Sequence, residues 1–194
     1  MNVAADSIRL RLDASEQAAL VAEVREVIRA SPLVRPQTPN GLALRVRVTA
    51  AGSLGWVGDG EYRYSPTDSR GNPWPPIPAR WLGIADTVAR PHAWDCAIVN
   101  WYDSDASLGW HRDQSERDRT LPIVTISLGD AASWAMREDD RSPIHRTRLE
   151  SGDVTLLAGP TRSWLHTVER IIPSPMFSPL TVRGRISITL RVAG

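Results

Sequence analysis

The sequence predicts a mainly β chain of α+β organisation, a jelly roll of antiparallel strands buttressed from outside by helices. Three observations carry this. Beyond Asp95 the chain divides into short β-rich segments, CAIVNWY, PIVTISLG, RTRLE, GDVTLLAG and GRISITLRV, separated by Gly, Asp, Ser and Pro turns. No convincing helical period lies between them, which argues against a parallel sheet of βαβ units. The length, 194 residues, suits one domain with a sizeable core.

Taken in order, the first element is an amphipathic helix from Ala14 to Ile28. Ala18, Val21, Ala22, Val24, Val27 and Ile28 recur at helical intervals, with Ser15 ahead of the run as its expected N-cap. SPLVRPQTPNG then breaks the helix with three prolines. Leu42, Leu44, Val46 and Val48 alternate with Ala43, Arg45, Arg47 and Thr49, the period of a half-buried strand over Gly41 to Thr49. Gly52 to Pro78 is rich in Gly and Pro and carries Trp56, Tyr62, Tyr64 and Trp74. Long ordered loops of this kind usually serve function. A second helix is expected from Ala79 to Val88.

The 23 basic residues are all arginine, against 22 acidic ones. Without lysine, Schiff-base and pyridoxal chemistry and the P-loop lysine are excluded. The formal charge of +1 announces no overall basic field. A single cysteine, Cys96, excludes an internal disulfide, a four-cysteine zinc site and a cysteine-ligated cluster, so a reducing, cytoplasmic setting is expected. No apolar run reaches the roughly 18–20 residues of a membrane span, and no membrane association is expected. Eight tryptophans against one phenylalanine leave flat stacking surfaces available to a ligand.

His111-Arg112-Asp113 sets two potential ligands two residues apart, on the same side of an extended strand end. His166 ends the strand-like run VTLLAGPTRSWLH. Two histidines and a carboxylate form a facial triad that leaves three positions of an octahedral ion open, as suits non-haem iron(II) and oxygen. Taken alone, a His-x-Asp is more often a pair of surface-loop residues. The tail adds weight, because Arg185 and Arg191 bracket ISITL on one face together with Ser187 and Thr189. An arginine on the inner face of a small barrel needs an anion, and a carboxylate is its natural partner. Triad and arginine together imply a metal-chelating dicarboxylate. His92 and His145 have no second ligand at metal spacing, and no Gly-x-Ser-x-Gly elbow supports a hydrolase.

In these residues the chain resembles the AlkB-type iron(II)- and 2-oxoglutarate-dependent nucleic-acid dealkylases. The resemblance runs from Arg35 to Ala193 through LGW, YRYSP, NPWPPIP, NWY, HRD, PIVTISLG, GDV and GRISITLR. It implies a double-stranded β-helix core in a single dioxygenase domain, 1–194, with a nucleotide-recognition lid at 35–78 and the catalytic jelly roll at 95–194. It further implies that His111, Asp113 and His166 hold Fe(II), and that Arg185 meets the far carboxylate of 2-oxoglutarate. By the same resemblance Asn100 and Tyr102 hydrogen-bond this co-substrate, Arg191 lies near its metal-binding end, and O2 is the second co-substrate. Trp56, Tyr62 and Tyr64 match aromatic positions of the lid that receives a flipped base, and Arg141 a lid arginine near the substrate. The implied reaction is oxidative demethylation of bases of the 1-methyladenine and 3-methylcytosine type in DNA or RNA, releasing formaldehyde, with no obligate protein partner.

The chain departs from the family in three places. Ser115 stands where bacterial relatives often carry an acid that reads the base's exocyclic amine, with Glu116 next. Leu157 replaces a tryptophan and Ser187 an asparagine. Two other readings stay open: an oxygenase of the same chemistry acting on a protein or small molecule, and a non-enzymatic jelly roll that binds damaged nucleic acid.

Overall fold

A computed structural model describes residues 2–174 and 179–194. In chain order the elements are α1 (Val3–Asp6), β1 (Ile8–Arg11), α2 (Ala14–Ala30), β2 (Val46–Gly52), β3 (Gly55–Gly58), β4 (Tyr62–Ser65), α3 (Ala79–Ala89) and β5 (Cys96–Tyr102). There follow β6 (Leu108–His111), β7 (Ile123–Gly129), β8 (Ala131–Arg137), β9 (His145–Leu149) and β10 (Asp153–Leu157), then a 3-10 turn (Gly159–Ser163), β11 (Leu165–Ile172) and β12 (Arg185–Arg191).

The long elements follow the sequence pattern. Helix α2 buries Leu20, Val21, Val24 and Val27, one stripe at helical spacing. Its cap is Asp13 rather than Ser15: the Asp13 carboxylate accepts from the Glu16 backbone N–H at 2.9 Å, and Glu16 accepts from the Asp13 N–H at 3.0 Å. This reciprocal pair satisfies two otherwise unpaired N–H groups, which a cap one turn position later would leave open. The expected strand Gly41 to Thr49 is shifted to Val46–Gly52. Its partner β5 ends at Tyr102, opposite Val46, and before that point the chain turns to residues 36–37 instead, Ala43 bridging Gln37 and the Leu44 N–H donating to the Pro36 carbonyl at 2.8 Å. Leu42 is accordingly 69% exposed instead of packed.

Two antiparallel sheets form the jelly roll. One has six strands in the order β1-β10-β7-β12-β5-β2, the other four in the order β6-β11-β8-β9. The outer face of the larger sheet carries Ile186, Ile188 and Leu190 of β12 and Val124, Ile126 and Leu128 of β7, buried under α2 and α3 with Trp81 and Leu20. Each such side chain contributes about 1.5–3 kcal/mol on burial, which is why the helices seat there. The opposite face of this sheet looks across to the smaller one. Residues 35–78 divide between roles: β2 is the edge strand of the larger sheet, and β3 with β4 forms a separate two-stranded hairpin.

The run VTLLAGPTRSWLH, expected as one strand-like segment, is broken at Gly159-Pro160 into β10, the 3-10 turn and β11. Its two halves belong to different sheets, so the chain crosses from one wall of the roll to the other at this turn. Strands β1, β6, β8 and β11 are not singled out by the sequence as separate elements. In β8, AASWAMR, all but two residues are buried, so its small residues show no in–out alternation.

Candidate metal and co-substrate site

Between the sheets lies a cavity of about 440 Å³. Register decides what faces it. Across β11 and β6, His166 pairs with His111, so both imidazoles leave the smaller sheet on the same side, their rings 4.3 Å apart. Each ring's Nδ1 lies on a carbonyl, Gly109 O at 2.8 Å for His111 and Trp164 O at 3.2 Å for His166. A carbonyl accepts only, so Nδ1 is the donor in each ring and Nε2 is the nitrogen left for a metal. Asp113, two residues past the end of β6, completes the set. Ligand atoms of His111, Asp113 and His166 all lie within 4.8 Å of one another. Burial pushes His166 down to about 4, aided by His111, so its ring is neutral and able to ligate at neutral pH. The donor set of two imidazoles and one carboxylate fits a divalent iron with open positions.

The larger sheet supplies the opposite wall. On β12, Arg185, Ser187, Thr189 and Arg191 all line the cavity. Opposite Arg185 stands Tyr102, and opposite Ser187 stands Asn100, which puts both β5 side chains on the same face as the arginine. Gly184 launches this strand with φ of +139°, and a Cβ there would come within 2.7 Å of the Tyr102 carbonyl.

Arg185 is 2% exposed. It donates to Ser127 Oγ at 2.6 Å, Asp130 O at 3.2 Å and Leu149 O at 3.4 Å, while its Nε has no partner. No ion pair joins it to a carboxylate among the described residues, and burial lowers it to about 10. Burial likewise pushes the Tyr102 hydroxyl up to about 12. A fully buried guanidinium with an orphaned N–H is a ready seat for a ligand carboxylate.

Arg191 sits nearer the triad. Its Nη1 lies 3.1 Å from Asp113 Oδ1, 2.6 Å from Glu116 Oε1 and 3.1 Å from the Tyr64 hydroxyl. Burial raises the Asp113 carboxyl, but Arg191, with His166 and His111 behind it, outweighs burial and holds it well below the usual carboxylate range. Burial also opposes the charge on Glu116, and Arg191 with the Tyr64 hydroxyl again prevails, so it too is lowered.

The mouth of the cavity is aromatic. In the hairpin Trp56 pairs with Tyr64, and the Trp56 and Tyr62 rings lie 5.1 Å apart. Trp56, Tyr62, Tyr64 and the exposed Ser115 all line the cavity, as do Leu157 and Ser187, the other two departures. Tyr64 is tied down, since its hydroxyl donates to Glu116 Oε1 at 2.6 Å. Arg141 is a correction. It is exposed in a turn whose Arg141 and Ser142 N–H groups both cap Asp139, and it does not line the cavity. Nothing in a linear sequence shows that this turn points elsewhere.

Sequence reasoning missed Arg162 and left Glu116 without a role. Both are buried, and Arg162 donates to Glu116 Oε2 at 3.1 Å and to the Asp113 carbonyl at 3.0 Å. They are 46 residues apart, and no local pattern links them. Trp110 at the rim, 36% exposed with the Arg137 guanidinium 4.5 Å from its ring centre, was also passed over.

Comparison with known proteins agrees with this arrangement. The family model of the 2OG-Fe(II) oxygenase superfamily matches residues 8–191. An alpha-ketoglutarate-dependent dioxygenase AlkB homolog of Caulobacter vibrioides is 39% identical over 189 residues, covering 94% of this chain and 84% of that protein. A tRNA demethylase, abh1 of Schizosaccharomyces pombe, is 38% identical over 81 residues, 41% of this chain and 27% of its own. The solved structure of OsALKBH1 shares the fold, with a TM-score of 0.79 at 24% identity over 95% of this chain and 97% of that one.

Proposed function

Because the chain belongs to the 2OG-Fe(II) oxygenase superfamily and to its AlkB type, and is thus an iron- and 2-oxoglutarate-dependent dioxygenase, we propose that its substrate is an N-alkylated base in DNA or RNA. The observation that carries this is the joining of two features in one cavity: a His-Asp-His set on one wall and an aromatic mouth, Trp56 with Tyr62, at the entrance. A relative that acts as a tRNA demethylase supports the same substrate class.

In this reading His111, Asp113 and His166 hold Fe(II), and Arg185 takes the far carboxylate of 2-oxoglutarate. Asn100 and Tyr102 would hydrogen-bond the co-substrate, and Arg191 would lie near its metal-binding end. When bound, iron with 2-oxoglutarate and O2 supplies the oxidising power, yielding succinate and carbon dioxide. The chain's own residues orient and exclude. Trp56 and Tyr62 receive the base, whose methylated ring is cationic in 1-methyladenine and 3-methylcytosine, and an aromatic face suits that charge. Tyr64 anchors the hairpin to the floor of the site through Glu116. Insertion of one oxygen atom into a methyl C–H bond would give an N–CH2OH group, whose N–C bond then breaks with the carbon leaving as formaldehyde and the hydroxyl proton passing to solvent, so no side chain need supply or remove it.

The test is formaldehyde release from oligonucleotides carrying 1-methyladenine or 3-methylcytosine, with Fe(II), ascorbate and 2-oxoglutarate. Wild type is expected to turn over, and His111→Ala, Asp113→Ala and His166→Ala are each expected to be inactive while folded. Steady 2-oxoglutarate decay with no formaldehyde from any methylated oligonucleotide would move the substrate to a protein or small molecule.

A further inference from the structure

The Glu116 side chain bonds three residues of the site from three different segments, Tyr64, Arg162 and Arg191. Its Oε1 accepts from the Tyr64 hydroxyl of β4 and from Arg191 of β12, and its Oε2 accepts from Arg162 of the 3-10 turn. Its side chain is 1% exposed, that of Arg162 3% and that of Arg191 7%. Asp113 shares the same cluster, with Oδ1 on Arg191 at 3.1 Å and Oδ2 toward His166 Nε2 at 3.6 Å. The two carboxylate oxygens of Asp113 therefore divide their work: one is held by the arginine and the other faces the histidines.

We propose that Glu116 is a positioning residue for the metal aspartate: it is the nearer carboxylate to Arg191, and by sharing that guanidinium it leaves Asp113 Oδ2 free to ligate a metal. Two buried arginines, Arg162 and Arg191, are matched by two carboxylates, the buried Glu116 and the partly buried Asp113. The shorter contact of Arg191 is to Glu116, 2.6 Å against 3.1 Å to Asp113. Take the negative charge from Glu116 and the cluster holds one surplus positive charge beside the ligand. Arg191 then has Asp113 as its one remaining carboxylate in the cluster, and a guanidinium grips a carboxylate best with both oxygens. That grip competes with a divalent cation for the same oxygen. A neighbour that orients a ligand in this way is typically worth ~10–100-fold in metal affinity.

The inference rests on reading His111, Asp113 and His166 as the metal ligands, and the experiment keeps the two apart. Mn(II), which does not turn over, is titrated calorimetrically into metal-free protein without 2-oxoglutarate. His111→Ala is expected to abolish binding, and unchanged binding there overturns the triad and this inference with it. Glu116→Gln keeps the shape and removes the charge, and is expected to weaken Mn(II) binding by ~10–100-fold. In an Arg191→Gln background the same change is expected to cost less than ~3-fold, because the competing cation is gone. A merely structural Glu116 would give equal losses in both backgrounds, and that result overturns the proposal. So does Mn(II) affinity within ~3-fold of wild type in folded Glu116→Gln. Should Glu116→Gln fail to fold, as judged by its melting transition, Glu116→Asp retains the charge at a longer reach. It is expected to lose ~3–10-fold in affinity, restored toward the background value by Arg191→Gln; wild-type affinity in Glu116→Asp overturns the proposal.

Discussion

Replacing Arg185 with glutamine removes the cation that a buried dicarboxylate is proposed to meet in the cavity. Arg185 donates to Ser127, Asp130 and Leu149 through neutral oxygens, and among the described residues no carboxylate is in contact with it, Asp153 and Glu150 acting only from a distance. Burial lowers its affinity for a proton. The ligand carboxylate thus gains a desolvated, charge-assisted contact, and losing such a contact costs roughly 2–5 kcal/mol, or about 30- to several-thousand-fold in Kd. Scanning calorimetry on Mn(II)-loaded protein reads this directly. With 2-oxoglutarate at about 100 times its wild-type Kd, stabilisation of wild type is about 2.7 kcal/mol; a variant with Kd raised about 100-fold keeps only about 0.4 kcal/mol at the same concentration. For a domain of this size that is a Tm shift of about 5–10 °C against about 1 °C. Affinity for methylated oligonucleotide is expected to change far less. An equal 2-oxoglutarate-induced shift in the two proteins would refute the argument and show that the co-substrate's far end lies elsewhere.

Three further outcomes are expected. Trp56→Ala removes the larger of the two rings at the mouth and is expected to lose about 1–3 kcal/mol of substrate binding, with 2-oxoglutarate decay in the absence of nucleic acid unchanged; fluorescence anisotropy and succinate formation measure the two. Ser115 offers a hydroxyl where an acid would read an exocyclic amine, so wild type is expected to discriminate weakly between 3-methylcytosine and 3-methylthymine, and Ser115→Asp more strongly, because a carboxylate facing a base without a donor is left unpaired. Equal repair ratios would assign base reading to another group. In metal-free protein His166 binds its proton at about 4, below its ordinary 6.5, so on acidification the unfolded chain takes up this proton first. Stability is therefore expected to fall between pH 6.5 and 4 by about 3 kcal/mol from this group and to level below that, and the fall is expected to be shallower in His166→Gln when both are followed by denaturant unfolding.

The parts of the site legible in the sequence are those whose spacing is local. His111 and Asp113 lie two residues apart, and Arg185, Ser187, Thr189 and Arg191 share one face of a single strand, so the period of an extended chain places each group without knowledge of its neighbours. The helices α2 and α3 and the segments of β5, β7, β10 and β12 were equally legible, because each buries one continuous apolar stripe or run. What the sequence could not carry is pairing between strands distant along the chain. The approach of His166 to His111 depends on β11 lying beside β6, the facing of Asn100 and Tyr102 toward the arginines on the register of β5 against β12, and the break at Gly159-Pro160 on the crossing between sheets. Residue types and local periodicity by themselves pointed to a jelly roll and marked His111, Asp113 and the strand face of Arg185 and Arg191 as candidates. Only the tertiary structure decided that Arg141 does not line the cavity and that Glu116, Arg162 and Arg191 join Asp113 in one charge-balanced cluster tied to Tyr64, since burying such charges is tolerable only where distant segments bring each its partner.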